Sequence, residues 1–343
     1  MLDAPQHGPR PLPLFLEMLR EKTAASADRR AAALAGLRAY QEAPRDRPRA
    51  LPDAGPAQGR ARLRDYGGAG RDVVFVPSLI NPPFILDLAP QKSLLRWCSE
   101  QGLRPWLLDW GAPGPTDRDE DIDAHIERIL VPLIAQFAAP PLLVGYCLGG
   151  TMALGAAAIA PVAGVAAIAA PWRFSGFGAG RAAIAELWTA ARPACEAMGL
   201  VPMEVLQSGF WRLDPERTIA KFEAFGRLAP GSDAARDFIA LEDWANSGAP
   251  LTFAAGRQLF EDLVGQDLPG NGRWSIGGTL VDPHTLPCPT VEFVSLTDRI
   301  VPAASAANLP DRRDLSAGHV GMVVGGRARE QLWEPLADWL RRV

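Results

Sequence analysis

Short apolar runs alternate with amphipathic stretches through most of the chain, and the rhythm changes twice. Residues 73–76 (Val-Val-Phe-Val) are a β-branched and aromatic run stopped by Pro77, which predicts a buried strand. The runs at 105–110, 142–144, 162–169 and 290–294 predict four more. Between them, residues 91–101, 119–138 and 149–158 carry helical patterns; Ile122, Ile126, Ile129, Leu130 and Leu133 trace the apolar stripe of the second. A last helix is predicted over 327–340.

Strands alternating with helices predict an α/β chain: a mostly parallel sheet with helices on both faces. The rhythm breaks over 175–276, which is rich in Trp and Phe at helical spacing and shows no clear strand. This predicts a helical cap insertion over the carboxyl ends of the strands, where such sheets place their sites. The first 60 residues form a third region. Helices are expected over 15–43, and 44–59 is dense in Pro, Gly and charge and reads as a linker. The expected organisation is an appendage over 1–60, a core over 61–174 and 277–343, and a cap over 175–276.

Composition narrows the function classes. The 343 residues are 48% hydrophobic with a formal net charge of −4, without long runs of one sign, which argues against a nucleic-acid surface. Residues 1–13 lack the basic and apolar regions of a secretory signal. The longest apolar stretch, 162–170, falls short of the ~18 residues of a membrane span and reads as a buried strand. Cys98, Cys147, Cys195 and Cys288 form no C-x-x-C pair, and no His/Cys/Asp cluster has metal-ligand spacing. A reducing cytoplasm, no metal and no cofactor are therefore expected.

Cys147 is the cysteine whose neighbours explain it. Gly145-Tyr146-Cys147-Leu148-Gly149-Gly150 lies between a predicted strand and a predicted helix, the context of a nucleophile elbow. Small residues must flank so tight a turn, and Gly145 and Gly149 do so. The helix starting near Leu148 aims its positive dipole end at the sulfur, which favours the nucleophilic thiolate. The backbone N–H of Leu148, and a second from the loop after the first strand at Leu79 or Ile80, would form an oxyanion hole. In chain order an acid and a histidine should follow. Asp298 follows the 290–294 strand, and His319 sits between Gly318 and Gly321 on a loop read as mobile and close-fitting. His319 is expected to act as general base and Asp298 to fix its tautomer. Asp87 and Asp109 are rival acids, Asp109 the stronger. Of the other histidines, His7 is in the tail, His125 on a predicted helix exterior and His284 in a Pro-bounded loop.

With these motifs the chain resembles the polyhydroxyalkanoate synthases, especially the short class III catalytic subunits, over roughly 73–340. The resemblance rests on residues 76–82 (Val-Pro-Ser-Leu-Ile-Asn-Pro), 85–88 (Ile-Leu-Asp-Leu), 108–111 (Leu-Asp-Trp-Gly), the box around Cys147, 241–244 (Leu-Glu-Asp-Trp), 298–302 (Asp-Arg-Ile-Val-Pro) and 318–321 (Gly-His-Val-Gly). It implies an α/β-hydrolase fold and a Cys-His-Asp acyltransferase that polymerises 3-hydroxyacyl groups from coenzyme A thioesters. Asp298 would also help activate the growing 3-hydroxyl. Asn81, Tyr146 and Arg299 are the candidate substrate contacts. The partners implied are the polyester and either a homodimer or a second, non-catalytic subunit that the N-terminal helices could contact; the location implied is cytoplasmic or at a granule. The chain departs from the pattern at Arg299, where the family has His, at 170–174, where its Asp is missing, and at 265–268, where an Asn-rich segment is thinned. A hydrolase using the same triad, and a non-catalytic granule-associated paralogue, are the alternative functions.

Overall fold

The computed structural model describes residues 8–45 and 51–343; His7 and positions 46–50 of the expected linker lie outside them. The chain divides into two compact units, Leu51–Pro202 with Ala249–Val343, and Met1–Ala50 with Met203–Gly248.

The larger unit is built on an eight-stranded sheet: β1 Ala54–Gln58, β2 Ala61–Asp65, β3 Asp72–Val76, β4 Arg104–Asp109, β5 Leu142–Tyr146, β6 Gly164–Ile168, β7 Thr290–Ser295 and β8 Arg312–Leu315. Their spatial order is β1-β2-β4-β3-β5-β6-β7-β8. β1 and β2 pair antiparallel, as do β2 and β4; every other pairing is parallel. Strands β3, β5 and β6 are β-branched, Leu- or Ala-rich and buried almost throughout, because both sheet faces are covered. Phe75, Leu142, Val165 and Phe293 are fully buried, each contributing about 1.5–3 kcal/mol if its side chain would otherwise face water.

Register sets the site. Val76 pairs with Gly145, Tyr146 with Ile168, and Ile168 with Phe293, so the carboxyl ends of β3, β5, β6 and β7 lie side by side. The loops leaving those ends therefore share one edge of the sheet.

The expected strands at 73–76, 105–110, 142–144, 162–169 and 290–294 are present within a residue or two. Strands β1 and β2 lie where a linker and the start of the core were expected. Their signal is weak: β1 (Ala-Gly-Pro-Ala-Gln) has low strand propensity and survives as the sheet edge, where Pro56 is tolerated. β2 does alternate, with Ala61 and Leu63 buried and Arg62 exposed. The expected helix over 119–138 is present as a continuous helical run from Ile122 to Ile134, with a π-helical turn at Ile126–Leu130 just before Pro132, which cannot donate to the ladder.

The segment over 175–276 is not one helical cap. Its ends belong to the larger unit, as the helix Ala179–Met198 and the short pairings of Leu200–Val201 with Leu251–Thr252 and of Ser275–Ile276 with Thr279–Leu280. Its middle groups with the N-terminal helices. No described helix is long and apolar enough to cross a membrane.

In that smaller unit, helices Leu12–Lys22 and Ala27–Glu42 pack with Met203–Leu213, Pro215–Phe225 and Asp233–Ala245. Ser26, Asp214 and Ser232 cap three of them by accepting backbone N–H bonds. Phe15, Tyr40 and Phe222 are fully buried and meet edge to face at 5.0 and 5.8 Å. The Tyr40 hydroxyl donates to Asp243, which also pairs with Arg45 at 3.0 Å. Gly36 has to be glycine, since a Cβ there would lie 1.9 Å from the Phe222 carbonyl oxygen.

Candidate active site

Cys147 lies between β5 and the helix Leu148–Ile159, at φ 57° and ψ −132°. A non-glycine residue at positive φ is costly and persists only where its surroundings impose it. Here the Cys147 N–H donates to the Ile168 carbonyl at 2.9 Å, continuing the β5–β6 ladder, while its carbonyl accepts from Gly150 N–H at 2.8 Å, opening the helix. The strand-to-helix reversal is completed within one residue.

The neighbouring glycines make that reversal fit. A Cβ on Gly145 would lie 2.3 Å from the Gly150 Cα, and one on Gly149 would lie 2.1 Å from the Val76 oxygen and 2.6 Å from the Pro77 oxygen. Gly149 thus lets the elbow press against the loop leaving β3. A Cβ on Gly150 would meet the Ala170 side chain at 2.5 Å. By contrast, Gly318 and Gly321 have no positive φ, and a Cβ at either would meet nothing within 4 Å, so the expected close fit of the histidine loop is not what these glycines provide.

That loop is held by hydrogen bonds to the loop that carries the acid. Leu296 N–H donates to Leu315 O at 2.9 Å, and the hydroxyls of Ser295 and Thr297 donate to the carbonyls of Ala317 and Ser316. Asp298 Oδ1 accepts from the N–H groups of Ile300 and Val301 at 2.7 and 2.9 Å. Its Oδ2 is left for His319 Nδ1, 2.6 Å away. The carboxylate side chain is fully buried and the imidazole nearly so.

Burial of the ring works against its proton. The charges of Asp298 and Cys147, and hydrogen bonds to both, more than offset this and raise the His319 pKa from 6.5 to about 10. The structure therefore brings two of the sequence-predicted residues, Cys147 and Asp298, to the imidazole of the third, His319. The proton is held more tightly in the folded chain than in the unfolded one. The stabilisation is thus complete below about pH 6.5 and lost as pH rises through about 10. We expect the urea midpoint of the wild type to fall from about pH 7 to about pH 10, and to fall less in Asp298→Asn. Equal slopes would refute the coupling.

The rival acids are committed elsewhere. Asp87 forms two bonds of 3.0 Å with Arg96 and accepts from the Tyr66 hydroxyl; Asp109 pairs with Arg64 at 3.0 Å. Of the two positions expected for the second oxyanion donor after β3, Ile80 donates its N–H to Ser78 Oγ at 3.2 Å. Leu79 is the better candidate beside Leu148, whose N–H is at the first turn of its helix and has no intrahelical acceptor. Tyr146, a candidate substrate contact, is buried against the histidine. It is 3% exposed, its ring stacks on His319 at 5.0 Å, and its hydroxyl donates to the His319 carbonyl at 3.2 Å. Asn81 is half-buried and Arg299 exposed.

His125 is buried rather than on a helix exterior. Nδ1 faces the Asp121 carbonyl at 2.6 Å and Nε2 faces Arg60 at 2.8 Å. Its place between Ile122 and Ile126 on the apolar stripe was the available signal.

No protein-family model matches the chain. It is 28% identical over 288 residues to the poly(3-hydroxyalkanoate) polymerase subunit PhaC of Haloferax mediterranei, a match covering 78% of this chain and 58% of that protein's length. It is 26% identical over 314 residues to the subunit of the same name from Allochromatium vinosum, covering 86% of this chain and 83% of that one. Among solved structures, the α/β hydrolase GrgF from Penicillium sp. sh18 superposes with a TM-score of 0.51 at 22% identity, covering 82% of this chain and 93% of that one. The chain is thus a sequence relative of the poly(3-hydroxyalkanoate) polymerase subunits, folded as an α/β hydrolase.

Proposed function

We propose that the protein is a polyhydroxyalkanoate synthase-like acyltransferase acting on 3-hydroxyacyl-coenzyme A thioesters. The observation that carries the reading is the thiol on a strained elbow, acting on an imidazole that a buried carboxylate holds at 2.6 Å. The likeness to polymerase subunits supplies the substrate class.

In the first half-reaction the Cys147 thiolate attacks the thioester carbonyl, and the resulting oxyanion is received by the N–H groups of Leu148 and Leu79. The carbon–sulfur bond to coenzyme A breaks, and the leaving thiolate takes the proton of the His319 imidazolium, leaving acyl-Cys147 and free coenzyme A. In the second, His319 takes the proton of a 3-hydroxyl as that oxygen attacks acyl-Cys147. A new ester forms and the Cys147 thiolate is regenerated. Asp298 keeps Nδ1 protonated throughout and stabilises the imidazolium. The thioester supplies the activation, so the chemistry requires no cofactor. Asn81 and Arg299 are assigned as substrate contacts. The same reading places the protein in the cytoplasm or at a polyester granule, with a second copy or a non-catalytic subunit as its partner.

The test is incubation of the purified protein with 3-hydroxybutyryl-coenzyme A, following coenzyme A release, product size and the mass of the intact protein. Polymer with an acyl adduct on Cys147 is the expected result. Stoichiometric free acid would instead make the protein a hydrolase, and the absence of any Cys147 adduct would sink the catalytic reading.

A further inference from the structure

The loop leaving β3 carries the second oxyanion donor, yet nothing in a loop of Pro77-Ser78-Leu79-Ile80 fixes by itself where the Leu79 N–H points. Two contacts fix the peptide that opens it. On one side the Pro77 carbonyl lies against Gly149 of the elbow, close enough that a Cβ there would meet it at 2.6 Å. On the other, the buried Trp110 indole N–H donates to that same carbonyl at 3.1 Å. The Ser78 hydroxyl then closes a local turn by accepting from Ile80 N–H at 3.2 Å.

Trp110 is itself immobilised. It is 6% exposed, and its ring meets His125 edge to face at 5.8 Å. His125 accepts from Arg60 through Nε2 and donates through Nδ1 to the Asp121 carbonyl. Burial pulls the His125 pKa down, so the ring is neutral, as this pair of bonds requires. Arg60 in turn is anchored by Glu120 at 2.5 Å and Asp117 at 3.3 Å. An oxyanion donor misplaced by about an ångström forfeits much of its effect, so the rigidity of its support matters.

We propose that Trp110 is a positioning residue for acyl transfer: its indole N–H holds the Pro77 carbonyl and so fixes the Ser78–Ile80 turn that presents the Leu79 N–H. The proposal rests on the acyltransferase reading above.

The test compares two reactions of Cys147. Acylation by 3-hydroxybutyryl-coenzyme A passes through an oxyanion; alkylation by iodoacetamide displaces iodide from a saturated carbon and does not. Trp110→Phe keeps an aromatic ring against His125 and removes the N–H. We expect its acylation rate to fall about tenfold, with alkylation within about twofold of wild type. Ser78→Ala, which opens the turn with little change of volume, is the second variant and should show the same split to a smaller degree, so the outcome does not hang on the folding of Trp110→Phe. Acylation at the wild-type rate in a folded Trp110→Phe, or equal losses in both reactions, would overturn the proposal. If Trp110→Phe does not fold, an unsplit Ser78→Ala would do the same. Failure of the wild type to acylate would count against the acyltransferase reading instead.

Discussion

Cys147→Ala is expected to lower the rate of coenzyme A release from 3-hydroxybutyryl-coenzyme A by about 10,000-fold or more, with the fold unchanged. The size follows from the arrangement. A nucleophile, its base and the group orienting the base act as one unit, and removing the sulfur removes the step that the other two serve. The small residue should be accommodated, because the N–H bond to Ile168 and the helix-opening bond to Gly150 belong to the backbone. His319→Ala should lower turnover by several orders of magnitude as well, and the double variant should be little worse than Cys147→Ala alone. Steady-state rates with far-ultraviolet circular dichroism as a folding control test this. Activity retained in Cys147→Ala would remove the assigned nucleophile.

Gly149→Ala is expected to lower stability strongly. The added Cβ would fall 2.1 Å from the Val76 oxygen and 2.6 Å from the Pro77 oxygen. Both are backbone atoms at the end of a central strand, so no side-chain rotation relieves the clash. The elbow and the β3 loop must separate, at a cost of about 3 kcal/mol or more. For a unit of this size the melting temperature should fall on the order of 10 °C. Gly180→Ala is the matched control: a Cβ there meets nothing within 4 Å, inside the helix Ala179–Met198, where alanine is the better helix former. Scanning calorimetry of the two variants gives the comparison, and equal melting points would show that the elbow tolerates a side chain after all.

The central strands were legible because burial on both faces demands nearly unbroken apolar runs, and β3, β5 and β6 have them; β7 is interrupted by Glu292, which is buried and accepts from Leu309 N–H at 2.8 Å. The candidate site was legible for a related reason: Gly145, Cys147 and Gly149 encode a backbone conformation, and chain order then singled out Asp298 and His319. What stayed hidden were the features that depend on pairing across long separations. Strand β1 exists because β2 lies beside it. The role of Tyr146 follows from the proximity of the His319 loop, and that of Trp110 from the approach of Pro77. An aromatic stripe on a helix announces a buried face but not its partner. The aromatic-rich 175–276 region therefore read as one cap, although its middle shares a core with residues near the N-terminus.

That shared core bears on biosynthesis. Phe15 and Tyr40 are translated more than 170 residues before Trp211 and Phe222, which complete their burial. The nascent chain must therefore expose the apolar stripes of its first two helices while the intervening strands are translated. Folding of the smaller unit therefore waits until residues 203–248 have been translated, a delay set by the long sequence separation of its contacts.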